Sequence, residues 1–177
     1  MLPETGLHDS AVLTVKGVHY IAAVRTASQR SSLKIWKLDE NNGRIRGKKT
    51  VSETAFPAGD AAYSLTDAGD GQAAYIYKHE LVWSVRIYDP VSETTSVFRT
   101  PHERMTLRNL SMAANGETQK TFLFSWAVPD SMPRIGSLTV EDMTGNMHLQ
   151  KTDVSGGIYY PVALKPYEGS EGSTAAY

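Results

Sequence analysis

The chain has 177 residues, 18 Lys and Arg against 19 Asp and Glu, a formal net charge of -1, and no cysteine. That balance gives no overall electrostatic drive toward nucleic acid or an anionic membrane, and the missing thiols remove disulfides, thiolate nucleophiles and Cys-ligated zinc. No apolar run approaches the roughly 18 residues of a membrane helix, and no basic stretch leads into an apolar one at the start, so the sequence reads as a soluble, cytoplasmic protein unless a leader was removed.

Strand-like runs follow one another along the chain. Ala11 to Lys16 and His19 to Thr26 flank Gly17, and Leu33 to Asp39 returns through Asn41-Asn42-Gly43 into Arg44 to Lys48. A second group has Tyr63 to Thr66, a turn over Asp67 to Gly71, Ala73 to His79, then Trp83 to Asp89 and Ser96 to Thr100. A third has Asn109 to Ala114, Thr121 to Val128, Gly136 to Asp142 and Asn146 to Lys151. Asp, Asn and Gly at the links accept the backbone angles of tight turns. Alternation at period 2 puts Leu81, Trp83, Val85 and Ile87 on one predicted face and Ser84, Arg86 and Tyr88 on the other.

Asp39, Asp89 and Asp142 close the third strand of each group, so the sequence predicts three units over residues 11–50, 61–101 and 109–152, with an extra strand at 157–164. The whole reads as one all-β domain over 1–166 followed by a flexible Gly/Ser/Glu tail over 167–177. Four antiparallel strands repeating every 40–50 residues or so form the blade signature of a β-propeller; a β-trefoil, which also has three repeats, is the alternative. A propeller typically needs about four to eight blades, so three blades predict self-association to complete the ring.

Motifs that carry chemistry are sparse. His8, His19, His79, His102 and His148 have no metal spacing, Asp67 and Asp70 lack the glycine placement of a calcium loop, and Gly69-Asp70-Gly71 sits between short strands and opens no helix, unlike a dinucleotide fingerprint. No metal and no cofactor are expected. The Leu2-Pro3-Glu4-Thr5-Gly6 match to a sortase signal lies at the wrong end of the chain, and Asn109-Leu110-Ser111 would matter only in a secreted protein. Aromatic residues on strands say more, because ring faces beside Arg and Asp suit sugars and planar ligands. The candidate ligand-binding residues are Arg86, Tyr88, Trp36 and Trp126; no catalytic residue can be named.

Ile21-Ala22-Ala23-Val24, Leu33 to Asp39, Asn42 to Arg46 and Val85 to Asp89 together resemble blades of the fungal fucose-specific lectin family. The resemblance implies a propeller and a sugar held by an Arg of one strand, a Glu of the next and a nearby aromatic. The Arg position carries Lys34, Arg86 and Thr139 in the three units, and the Glu position Gly47, Arg99 and Leu149, so a fucose site of the family type is expected to be lost. What remains is a lectin-like protein binding a small molecule or sugar between blades. The alternative is an enzyme of fungal secondary metabolism, a pericyclase or cyclase that orients a reactive intermediate in the same cleft.

Overall fold

The structure, a computed structural model, describes residues 6–27, 30–99, 105–115, 120–129, 135–142, 147–155, 163–166 and 173–176, with side chains placed through residue 98 and at Thr106, Leu107, Leu110 and Asp142. The described residues form fourteen strands and no helix. Strands β1 (Leu7–Val15), β2 (Val18–Ala27), β3 (Arg30–Asn41) and β4 (Arg44–Ala55) make sheet 1. Sheet 2 holds β5 (Ala61–Gly69), β6 (Gln72–His79), β7 (Val82–Asp89) and β8 (Thr94–Arg99). In sheet 3 the strands are β9 (Met105–Asn115), β10 (Lys120–Pro129), β11 (Ile135–Asp142) and β12 (Met147–Ser155). Each sheet is an open antiparallel meander in chain order, and β13 (Ala163–Pro166) pairs with β14 (Ser173–Ala176) beside β9.

Turn chemistry sets these hairpins. Lys16-Gly17, Asn42-Gly43 and Asp70-Gly71 all have positive φ at both residues, the two-residue turn whose twist matches that of the strands it joins. Asp70-Gly71 thus shortens the five-residue link expected from sequence, because β5 runs on to Gly69 and β6 starts at Gln72. A Cβ on Gly71 would lie 2.2 Å from Val15 Cγ2, so this hairpin tip presses on the end of β1.

Several expectations change in detail. Sheet 1 begins at Leu7 rather than at residue 11, and β4 extends to Ala55. Leu81, assigned by alternation to the face of Trp83, Val85 and Ile87, occupies the β6–β7 turn with 84% of its surface exposed; Glu80 at φ 52° starts that turn and ends the alternation. The extra strand read at 157–164 overlaps β13 only at Ala163 and Leu164, and its remainder lies outside the described residues. Within the segment read as a tail, Ser173–Ala176 pairs with β13; four small residues supply a backbone ladder without needing a core.

The sheets stack through two apolar layers. Leu13, Ala22, Val24, Leu33 and Ile35 of sheet 1 pack on Ala62, Leu65, Ala73, Tyr75, Tyr77 and Tyr88 of sheet 2, with Phe56 of the linker between them. On its other side sheet 2 presents Ala68, Ala74, Ile76, Val85 and Ile87 to Leu107 and Leu110 of β9. Sheet 2 is covered on both faces, so Ala73 to Tyr77 are buried without a break, the pattern of a doubly covered strand. Each large apolar side chain removed from water contributes about 1.5–3 kcal/mol.

The innermost strands are also joined by polar bonds. Register shifts interrupt the β1–β2 pairing at Asp9 and the β5–β6 pairing between Tyr63 and Thr66, and Asp9 and Ser64 both have positive φ. The Ser64 amide donates to Asp9 Oδ2 at 2.9 Å, and the Leu110 amide donates to Ser64 Oγ at 3.0 Å. A short polar side chain at each kink therefore holds a backbone amide of the next sheet.

Candidate functional site

The linker from β4 to β5 builds one wall of the gap between sheets 1 and 2. The Phe56 amide donates to the Ser31 carbonyl at 2.9 Å and the Asp60 amide to the Pro57 carbonyl at 3.1 Å, with Gly59 at φ 91° making the turn between them. Phe56 is thereby turned inward, stacking on Tyr75 at 6.2 Å and meeting the Tyr77 edge at 5.3 Å. Asp60 is delivered to the edge of this aromatic layer.

Asp60 is 5% exposed and accepts from the Tyr77 hydroxyl at one oxygen and from His79 Nδ1 at the other, the latter at 2.8 Å. Burial acts to raise its pKa, but the hydrogen bonds from Tyr77 and His79 and the charges of His79 and Arg86 hold it below the ordinary carboxylate value. Tyr77 answers in the opposite direction: burial, then the bond to Asp60 and its negative charge, push the phenol up to about 12. The pair is thus a carboxylate and a neutral phenol at any physiological pH.

Arg86 stands behind Tyr77, its guanidinium carbon 3.5 Å from the ring centroid. Pairing of Tyr75 with Arg86 and of Ala73 with Tyr88 places these residues on the side of sheet 2 that faces sheet 1. Among the described residues, Arg86 Nε is buried with no hydrogen-bond partner, while the Tyr88 hydroxyl lies buried near Ser52. Burial raises the Tyr88 phenol above its ordinary value, with Ser52 of β4 nearby opposing it. Tyr75 is raised by burial too, against a hydrogen bond from Thr95 and the charge of Arg86.

Asp60 also lines a surface cavity of about 440 Å³ with His8, Thr26, Ser31, Gly59, Ala61, Ala62 and Tyr63. His8 Nε2 lies 2.8 Å from Thr26 Oγ1, which lies 3.0 Å from Ser31 Oγ. Tyr63, half exposed, also lines the cavity, and its ring packs at 6.0 Å against Trp83 on the side of sheet 2 that faces β9. One ionised carboxylate, two hydroxyls and an imidazole therefore line a space of small-ligand size. Each carboxylate oxygen has two acceptor sites, so Asp60 can take a ligand hydroxyl while keeping Tyr77 and His79.

The four residues singled out from sequence do not form one site. Arg86 and Tyr88 share the gap between sheets 1 and 2, where Arg86 reaches the cavity only through Tyr77 and Asp60. Trp36 lies on the outer face of sheet 1, beneath Lys48 Nζ at 4.2 Å and Lys34 Nζ at 5.4 Å, beside a second cavity of about 390 Å³. Trp126 pairs with Asn109 and Leu138 in sheet 3, and its side chain lies outside those described. Sequence reasoning missed Asp60, Tyr63, Thr26 and Ser31. The signal was Phe56-Pro57-Ala58-Gly59-Asp60, an apolar anchor, a turn and an acid between two units. Among the described residues no three His, Asp or Glu side chains gather as metal ligands.

No protein-family model matches the chain, and no curated protein does. Among solved structures it is similar to a puromycin-hydrolysing peptidase of Mycobacterium tuberculosis, at 13% identity and a TM-score of 0.48, over 72% of this chain and 19% of that one. A puromycin hydrolase gives 13% identity and a TM-score of 0.49, over 77% of this chain and 20% of that one. The chain spans about a fifth of the length of both.

Proposed function

We propose that this chain is a sector of a β-propeller that binds small polyhydroxylated ligands of the carbohydrate type, without covalent chemistry, at the edge of the gap between sheets 1 and 2. The observation that carries this reading is Asp60, held ionised and oriented by Tyr77 and His79 at the wall of a 440 Å³ cavity. A fixed carboxylate accepts from sugar hydroxyls at little cost in reorganisation, and Thr26 and Ser31 can donate or accept as the ligand requires. Arg86 is a positioning residue in this scheme, bracing Tyr77 from behind. Separate four-stranded meanders stacked face to face in chain order support propeller blades over a trefoil.

Titration with a panel of neutral monosaccharides tests the reading. Tyr63 lines the cavity and packs on Trp83, so a sugar seated there is expected to change tryptophan emission saturably. Asp60→Asn should weaken the interaction by about tenfold or more, near 1.4 kcal/mol, and Arg86→Lys should weaken it less, because Arg86 does not touch the ligand. An emission spectrum unmoved by every sugar at millimolar concentration would refute the proposal.

A further inference from the structure

The 440 Å³ cavity carries charge of one sign. Asp60 is the acid among the residues that line it, and no Lys or Arg stands among them. His8, the basic group on this wall, is already engaged: its Nδ1 lies 3.6 Å from Asp9 Oδ2 and its Nε2 2.8 Å from Thr26 Oγ1. The groups that hold Asp60 ionised act from outside the space. His79 reaches Oδ1 at 2.8 Å and Arg86 lies behind the Tyr77 ring, and neither lines the cavity.

Such a wall separates two kinds of sugar. A hydroxyl brings a neutral donor to the carboxylate, whereas an ammonium brings three donors and a full charge. A hydrogen bond assisted by charge is roughly twice as strong as a neutral one. The attraction also counts for more here than in open water, because Asp60 is 5% exposed and weakly screened. Taking an ammonium out of water costs part of this gain, but His8 and Thr26 stand exposed at the rim, so the seated cation keeps some hydration and the cost stays below that of a fully buried ion pair. The Thr26 and Ser31 hydroxyls, 3.0 Å apart, accept from the neighbouring ring hydroxyls. A metal ion fits this wall less well. Calcium takes about six to eight oxygen ligands, and among the described residues no three His, Asp or Glu side chains gather.

We infer that the cavity prefers sugars carrying a free amino group, whose ammonium seats against Asp60. This rests on the carbohydrate reading of the site and names the class of sugar it selects. The preference comes from the charge and not from an added donor, so an acetylated amine, which keeps an N–H but is neutral, does not share it.

Calorimetric titration at about pH 6.5, below the ordinary amine range, tests this with glucosamine, galactosamine and mannosamine, their neutral parents and their N-acetyl derivatives. At least one amino sugar is expected to bind about tenfold more tightly than its neutral parent, near 1.4 kcal/mol, and its N-acetyl form should lose that gain. Asp60→Asn should bring the amino sugar and its neutral parent to the same affinity while the far-UV β spectrum stays unchanged. Should that variant fail to fold, the comparison of amino, neutral and N-acetyl forms on the parent chain decides alone. Equal binding of the three forms overturns the preference and leaves the carbohydrate site standing, whereas no binding of any sugar overturns both. A preference that survives in Asp60→Asn would place the ammonium elsewhere and overturn the assignment to Asp60.

Discussion

Tyr77→Phe isolates the hydrogen bond that organises the candidate site. The ring stays, so its edge contact with Phe56 at 5.3 Å and the Arg86 guanidinium at 3.5 Å are preserved, and only the donor to Asp60 is lost. A hydrogen bond to a charged group contributes about 1.5–3 kcal/mol, and Asp60, being 5% exposed, has little water with which to replace it. The expected loss at neutral pH is about 2 kcal/mol, or on the order of 4–8 °C in Tm for a chain of this length.

The pH dependence gives a sharper test. Asp60 has a lowered folded pKa, so its contribution is fully present above the unfolded carboxylate value of about 3.9 and is lost as pH falls through the folded one. Tyr77, raised to about 12, contributes stability that is present below about pH 10 and lost as pH rises through the folded value. Parent and variant should therefore differ most at neutral pH and converge toward both extremes. Urea unfolding followed by circular dichroism across that range measures the gap. A gap independent of pH, or one below about 0.5 kcal/mol at neutrality, the ordinary range for a surface substitution, would refute the assignment.

Further substitutions test the packing and the clasps. Gly71→Ala and Gly17→Ala both place a side chain at a φ near 76°, costing about 1–2 kcal/mol, but only the Gly71 variant also meets Val15 and should melt measurably lower. Ser64→Ala frees the Leu110 amide and should cost about 1–3 kcal/mol, with faster hydrogen exchange at β9, whereas Asp9→Ala, which opens an exposed bond, should cost less. Val85→Ala, emptying a site between sheets 2 and 3, is expected to lower stability by about 1–3 kcal/mol, while Leu81→Ser, at 84% exposure, should leave it within about 0.5 kcal/mol.

The strands were legible because their causes are local. Alternation in β7 and the Asn42-Gly43 and Asp70-Gly71 turns mark the hairpins without reference to any other part of the chain. The face of Arg86 was legible for the same reason, since side chains on a strand alternate with fixed period. What lies opposite a face is a different matter. Trp36 and Tyr88 occupy matching positions in their sheets and both are buried, yet Tyr88 is covered by sheet 1 and Trp36 lies beneath Lys34 and Lys48. Nothing within the alternation of either strand distinguishes them, because what covers each face is supplied by other parts of the chain.

Asp60 escaped for a related reason. It lies in a linker, where no periodicity marks it, and its partners Tyr77 and His79 sit 17 and 19 residues away on a strand whose pattern signals only burial. The carboxylate becomes chemically informative only once Phe56 is anchored by Ser31 and turned against Tyr75 and Tyr77, contacts that require sheets 1 and 2 already stacked. The cavity draws His8, Thr26 and Ser31 from sheet 1 and Ala61 to Tyr63 from sheet 2, so neither unit contains it alone. A fold made of repeated meanders thus places its strands by local rules and its sites by the joints between repeats. That is why an acid that no strand pattern marks can still stand at the gap: Asp60 enters it from the connection between the two sheets.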